Sequence, residues 1–331
     1  MIITQTPFRV SLLGGGTDMP SWYRDNPGSV VSFSIDKYCY LTTRSLPPFF
    51  KHNYRIAYSK VETTKSVDEI EHPVVRESIR KYAPKLNLEI HHDGDLPAHS
   101  GVGSSSAFTV GIIHSLLELQ NIATNQIKLA NYAIEMEQKI LGENVGSQDQ
   151  IACALGGLNF ISFGPNESWK HTKIQISDSY KNSMEERMVL IFTGITRNSS
   201  EVNKNLLANI PFNSEYLGRL HALSEQCRDV ISNSSDLDQI GKMLDENWKL
   251  KRSLNKYSST QELDDIYEMG LKAGALGGKI LGAGGGGFYL FWLKDGQKNE
   301  FVRKFNYGVH VPIKISEEGS KVVYNSYSKR A

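Results

Sequence analysis

Glycine is unevenly distributed in this chain, and its three densest clusters constrain the fold more than any other feature. They are Leu13-Gly14-Gly15-Gly16-Thr17-Asp18, Gly101-Val102-Gly103-Ser104-Ser105-Ser106 and Gly282-Ala283-Gly284-Gly285-Gly286-Gly287. Ordering glycine costs more backbone entropy than ordering any other residue. A packed run of it marks a place where the backbone takes positive φ or lets another group come close. The first cluster leaves a predicted strand at 7–13 and reads as a tight strand exit or as a ligand loop ending in the Asp18 carboxylate. The second runs into an apolar helical pattern at 106–120. Free N–H groups at a helix start attract anions. One serine would serve as an ordinary cap, whereas three after Gly-x-Gly point to phosphate. No lysine follows Gly103, so this is not a Walker A loop. The third cluster matches G-x-G-x-x-G in letters, but Phe288-Tyr289-Leu290-Phe291-Trp292 follows it as a strand. A dinucleotide fingerprint needs a helix there, so a strand–glycine loop–strand hairpin is expected instead.

Strand and helix signals alternate around these loops, which gives an α+β fold class. Strands are expected at 7–13, 29–44, 86–92, 157–163, 188–193, 279–281, 287–293, 310–315 and 321–325, the second being long enough to bend. Helices are expected at 106–120, 125–141, through most of 199–256 and at 261–276, with Thr124 as cap and Gly142 as terminator of the second. Residues 164–186 commit to neither pattern, and a boundary there divides the chain into domains 1–175 and 176–331. A chain of 331 residues has room for two domains. Its net charge of +1 argues against a nucleic-acid binder that works by bulk charge. No apolar run of about 18 residues occurs, and no basic segment precedes an apolar core at the N-terminus, so neither a membrane span nor a signal peptide is expected. Cys39, Cys153 and Cys227 form no CxxC pair and read as reduced thiols in a cytoplasmic protein.

The charged residues between the loops carry the argument toward chemistry. Arg9 lies in the apolar strand before the first loop, where it needs an anion or carboxylate partner unless the position is an edge open to water. Glu137 and Asp149 flank the turn around Gly142. A carboxylate beside a triphosphate commonly serves Mg²⁺, and a second one accepts a proton from an attacking hydroxyl. Glu137 reads equally well as part of a solvated helix face. Asp149, just before Ile151-Ala152-Cys153-Ala154-Leu155, is expected near the core. His91 and His92 are adjacent in a strand and so point to opposite faces.

Taken together, Pro7 to Asp18, Leu96-Pro97 to Ala107 and Gly282 to Gly287 resemble, in order and spacing, the three motifs of the GHMP small-molecule kinases, which include galactokinase and mevalonate kinase. Val102 and Ser106 depart from the usual Leu and Ala of the second motif. The resemblance is greatest to the bacterial heptose-phosphate kinases, through Ser34 to Tyr38, Gly146 to Gln150, Thr193 to Arg197 and Gly277-Gly278-Lys279. Galactokinases carry Glu-His where this chain has Gly15-Gly16. The resemblance implies a two-domain GHMP kinase fold with a mixed α/β N-terminal domain and a ferredoxin-like α+β C-terminal domain. It also implies ATP and Mg²⁺ as cofactors. The reaction would transfer the γ-phosphate to the anomeric hydroxyl of D-glycero-D-manno-heptose 7-phosphate, giving a 1,7-bisphosphate for nucleotide-heptose and surface polysaccharide synthesis.

In that scheme Gly101, Val102, Gly103, Ser104, Ser105 and Ser106 hold the ATP phosphates, and Ser105 and Glu137 bind Mg²⁺. Asp149 is the catalytic base or positioner, with Arg9 beside it to stabilise transferring charge. Gly15, Gly16, Thr17, Asp18, Gly284 and Gly285 contact substrate, and Arg197 is the first candidate for the sugar phosphate. The implied partners are a small sugar phosphate and ATP, with no nucleic acid and no membrane, and either a monomer or a homodimer. Another acceptor such as fucose, and a non-catalytic sugar and nucleotide sensor, are the alternatives.

Overall fold

The computed structural model describes residues 1–195, 214–254 and 259–327. Its N-terminal part is built on β1 (Ile2–Leu13), α1 (Pro20–Tyr23), β2 (Gly28–Ser45), β3 (Tyr54–Ala57), β4 (Val61–Thr64), α2 (Pro73–Tyr82), β5 (Leu88–Gly94), α3 (Ser104–Leu119), α4 (Gln126–Ile134), α5 (Gln148–Leu155), β6 (Leu158–Gly164) and β7 (Ser168–Lys173). The C-terminal part adds α6 (Asp178–Arg187), β8 (Met188–Phe192), α7 (Ser214–Ser232), α8 (Asp238–Leu254), α9 (Gln261–Ala273), β9 (Ala275–Ile280), β10 (Phe288–Leu293), α10 (Lys298–Lys304), β11 (Val309–Val311) and β12 (Lys321–Asn325).

β2 organises the first sheet. β1 lies antiparallel along one side, while on the other side β6 pairs with Gly28–Phe33 and β5 with Cys39–Ser45. One strand serving two neighbours in succession must bend, as the length of its β-rich run predicts. The register of β1 against β2 shifts between Pro7 and Arg9 and again between Ser11 and Leu13. Such irregularities re-aim side chains, and here they bracket Arg9. α3 packs across β1 and β2, closely enough that Thr4 donates to the Gly111 carbonyl at 3.2 Å. All three cysteines are buried and free.

The second sheet has strand order β11-β8-β10-β9, antiparallel throughout. With α7 to α9 between β8 and β9, and α10 before β11, this is the ferredoxin-like arrangement. β10 is buried on both faces, and its alternation joins two cores. Tyr289, Phe291 and Leu293 pack with Trp248, Tyr267, Phe301 and Phe305. Phe288, Leu290 and Trp292 join the core that continues into the N-terminal part.

The structure differs from the sequence reading at several places. The α4 cap is Asn125, whose Oδ1 accepts from Lys128 N at 2.9 Å, rather than Thr124. That helix changes into a π-helical turn at Glu135–Ile140. The stretch around the proposed boundary is ordered as β7 and α6. The two parts are also not consecutive, because β12 returns to pair with β1 in the first sheet. Without it β1 would be an open edge, which folded proteins tend to cover. Among the described residues no helix is long and apolar enough to cross a membrane.

The tail leading to β12 also braces α5. Gly156 ends that helix with φ +71, and a β-carbon there would collide with the Glu318–Gly319 backbone. Gly142 has a similar φ of +66 but nothing within 4 Å of a β-carbon. Both alanine variants incur a positive-φ backbone cost of about 1–3 kcal/mol, the larger at Gly156, whose ψ of 176 lies in a region almost confined to glycine. Gly156→Ala is expected to lose on the order of 2 kcal/mol more from the steric conflict. Urea denaturation of the two variants checks this, and equal losses would show that the tail contact does not brace the helix.

Candidate active site

The three glycine loops converge on one cleft. Arg9 leaves β1 beneath it, 3% exposed, with Nε donating to Asp149 Oδ1 at 2.7 Å and Nη2 to Oδ2 at 2.5 Å. Its third donor, Nη1, reaches the Gly101 carbonyl at 2.7 Å, and its backbone N–H bonds the Val102 carbonyl at 2.9 Å. The second loop therefore wraps this arginine. A β-carbon on Gly103 would lie 2.9 Å from Arg9 Cγ, so the residue there must be small. A bidentate guanidinium fixes the plane of the Asp149 carboxylate, which stays 28% exposed toward the cleft.

Asp149 stands in the first turn of α5, where a carboxylate complements the helix dipole. Asp18, from the first loop, ties itself to the same helix start. It accepts from Gly16 N at 2.9 Å and from Gln148 N at 3.3 Å, and its own carbonyl accepts from Ser147 N. Gly146 makes room for it, since a β-carbon there would overlap the carboxylate. Burial, then the charge of Asp149, pushes the Asp18 carboxyl above the usual carboxylate range.

α3 begins at Ser104 with no acidic residue in its first turn, so its N–H groups open onto the cleft between the second and third loops. The third loop is the expected hairpin between β9 and β10. It meets the second backbone to backbone, with Phe288 N donating to Ser100 O at 3.2 Å. A β-carbon on Gly282 would lie 2.7 Å from Gly101 Cα.

Glu137 sits in the π-helical turn, buried, and accepts from Ser106 Oγ at 3.0 Å and from Gln150 Nε2. Its Oε1 has no hydrogen-bond partner. Burial pushes its carboxyl up to about 7, more than the Thr109 hydroxyl and the hydrogen bonds from Gln150 and Ser106 pull it down. A buried carboxylate with one oxygen unpartnered, beside the Ser106 hydroxyl, offers oxygen ligands of the kind a hard divalent cation takes.

The structure places most of the expected residues on this cleft: Arg9, Gly15, Gly16, Asp18, Gly101, Gly103, Ser104, Ser105, Ser106, Glu137 and Asp149 all line it. Four expectations change. The hydroxyl that meets Glu137 belongs to Ser106, while Ser105 is exposed at the helix start. Thr17 is fully buried, its hydroxyl donating to Gly14 O at 2.8 Å and Ser29 O at 2.9 Å, so it shapes the loop from behind. Val102 likewise turns into the core. The third loop lines the cleft with Gly282 and Ala283, not with Gly284 and Gly285. Arg197 lies outside the described residues.

The sequence reading did not single out two lysines as site residues. Lys279, 5% exposed, donates to the carbonyls of Ser11 at 3.1 Å and Leu12 at 3.3 Å, pinning β9 to the end of β1. Burial, then Lys251 and Arg9, lowers its ammonium to about 7. Lys251 of α8 donates to Gly282 O at 2.8 Å, and burial with Arg9 nearby lowers it to about 8. Lys279 carried a signal, a cation in a strand directly before a glycine loop, as Arg9 did. Lys251 carried none, because it stands among Lys249 and Arg252 on a helix with an ordinary charged face.

Residues 71–157 match the family model for the GHMP kinases N terminal domain, and residues 223–309 match that for the GHMP kinases C terminal. The chain belongs to the GHMP kinase family. It is 28% identical over 320 residues to the D-glycero-alpha-D-manno-heptose 7-phosphate kinase of Campylobacter jejuni, covering 91% of this chain and 92% of the relative. It is 25% identical over 331 residues to the bifunctional fucokinase/GDP-fucose pyrophosphorylase of Arabidopsis thaliana, spanning 30% of that longer protein. The fold matches a D-glycero-D-manno-heptose 1-phosphate kinase structure from Bacteroides thetaiotaomicron with a TM-score of 0.81, at 23% identity, covering 98% of this chain and 100% of the other. As a GHMP kinase it is a phosphotransferase that acts on an alcohol group.

The Glu137 carboxyl makes the ligand-free kinase pH-sensitive with a definite sign. Its value is raised from 4.5 to about 7, so the native state keeps a proton that the unfolded chain releases in that interval. Its contribution to stability is present below 4.5 and is lost as pH rises through about 7. Glu137→Gln, which is neutral at every pH, is expected to flatten this decline in thermal melts made with chelator. Parallel melting profiles for parent and variant would show that Glu137 is not the group responsible.

Proposed function

We propose that this GHMP kinase is an ATP-dependent sugar-phosphate kinase that phosphorylates the anomeric hydroxyl of D-glycero-D-manno-heptose 7-phosphate. The observation that carries the chemistry is the bidentate Arg9–Asp149 pair beside the N-terminus of α3. The likeness to the Campylobacter jejuni kinase over nearly all of both chains supports the choice of sugar.

In this reading the Gly101–Ser106 loop and the α3 N-terminus hold the nucleotide phosphates. Glu137 and Ser106 hold Mg²⁺, which when bound supplies charge neutralisation to the phosphate oxygens. Asp18 and the bare backbone of Gly15 and Gly16 receive the sugar hydroxyls. The anomeric hydroxyl gives its proton to Asp149 as its oxygen bonds to the γ-phosphorus, and the bond to the β–γ bridging oxygen breaks to release ADP. Arg9 leaves each Asp149 oxygen a free lone pair for that proton while holding the carboxylate in line. Phosphoryl transfer depends chiefly on positioning and charge stabilisation, so fixing the carboxylate plane is the main contribution of Arg9.

Asp149→Asn keeps the shape and is expected to lower kcat by about 10²-fold or more, and, because it strips the buried Arg9 guanidinium of its counter-charge, to lower the melting temperature as well. Near-normal turnover would remove Asp149 from the chemistry. ADP release measured with heptose 7-phosphate, the dephosphorylated heptose, mannose 6-phosphate, fucose and galactose tests the acceptor. Preference for the heptose 7-phosphate is the expected result. Better turnover of fucose would keep the kinase and replace the sugar with that named for the Arabidopsis thaliana relative.

A further inference from the structure

Helix α8 brings two polar side chains to the cleft that the mechanism above does not use. Gly277 of β9 lets the helix lie directly on the strand, since a β-carbon there would overlap Gly241 O and come within 2.8 Å of Asp245 Cβ. This seating carries the next turns of α8 to the cleft wall, where Asn247 and Lys251, four residues apart, share one helix face. Asn247 is 3% exposed, and its Oδ1 has no hydrogen-bond partner. An enclosed amide oxygen without a donor is costly in a folded protein unless a ligand supplies one. Asn247 therefore marks this face of α8 as one that meets bound substrate.

Lys251 stands over the seam between the second and third loops. Its one recorded bond, to Gly282 O at 2.8 Å, leaves two of its three N–H donors for a ligand. Gly282 abuts Gly101, the first residue of the loop before α3, and Lys251 is close enough to Arg9 to feel its charge. The ammonium thus lines the same cleft as the α3 N-terminus and the Arg9–Asp149 pair. Lys279 is less available, because the Ser11 and Leu12 carbonyls occupy it and it is buried.

We propose that Lys251 is a catalytic residue that binds the γ-phosphoryl group of the nucleotide as it passes to the acceptor. As the acceptor oxygen–phosphorus bond forms and the bond to the bridging oxygen breaks, the acceptor proton goes to Asp149 and ADP departs. Lys251 forms no covalent bond and keeps its protons, and it neutralises charge on the non-bridging oxygens. The proposal rests on the kinase reading of the cleft and is independent of which sugar is the acceptor.

Lys251→Met keeps the aliphatic stem and removes the charge. Affinities of the full-length variant and parent for ADP and for the non-hydrolysable ATP analogue AMP-PNP, each with Mg²⁺, are compared by titration calorimetry. The variant is expected to lose about tenfold or more in affinity for AMP-PNP while its affinity for ADP stays within about threefold. A merely structural lysine would weaken both ligands alike. Equal losses, or no loss for either, would overturn the assignment. Neither ligand contains an acceptor, so an error in the sugar leaves this test intact. Should the methionine variant not fold, Lys251→Gln, whose amide can still donate to Gly282 O, is read in the same way.

Discussion

The pairing of Arg9 with Asp149 is the interaction on which the rest of the site depends. It joins the end of β1 to the first turn of α5, elements separated by most of the N-terminal part. The same guanidinium holds Gly101 O, so the loop before α3 takes its position from the residue that fixes the carboxylate. A buried arginine is tolerated only with its donors satisfied, and here satisfying them sets the geometry. Three segments are aligned by one side chain, and the register shifts on either side of Arg9 in β1 aim it into place.

The two halves of the cleft meet through backbone where side chains would otherwise stand. Gly101 and Gly282 touch, and a β-carbon on Gly287 would strike Ser100. Four successive glycines with positive φ, Gly284 to Gly287, let the third loop follow the second at that distance. Lys279 reinforces the junction from below by donating to β1. Because β10 is apolar on both faces, the C-terminal sheet is bonded to the N-terminal core rather than hung from a linker. The cleft is accordingly a seam in one continuous packing, and its width is set by backbone contact.

Much of this was legible in the sequence. The glycine loops mark their own positions because an ordered glycine run is costly without a close neighbour. Arg9 was conspicuous because a cation in an apolar strand needs a partner. Less legible was anything set by register or by the return of the chain. Ser105 and Ser106 are adjacent, but successive helical residues point about 100° apart, and only the structure shows that Ser106 faces Glu137. Thr17 is expected from the sequence to contact substrate, yet its hydroxyl is taken up by the carbonyls of Gly14 in the loop and Ser29 in β2. β12 reads as any short strand, and nothing local says that it crosses back to β1. α2 is hard to read in the sequence, because charged residues stand among Val74, Val75 and Ile79 and mask their helical spacing.

Burial acts on both signs of charge in this cleft, and the two effects have a common direction. Lys251 and Lys279 are pushed toward their neutral forms, while Asp18 and Glu137 are pushed toward theirs. Burial in the cleft thus favours the neutral form of cations and carboxyls alike. In the kinase reading proposed above, an anionic nucleotide would favour the charged form of the lysines and a divalent cation that of Glu137. These changes have opposite proton stoichiometry, so a metal–nucleotide complex disturbs the protonation of the site less than either component alone. On that reading each ligand would supply the counter-charge that the other's binding groups need in order to ionise.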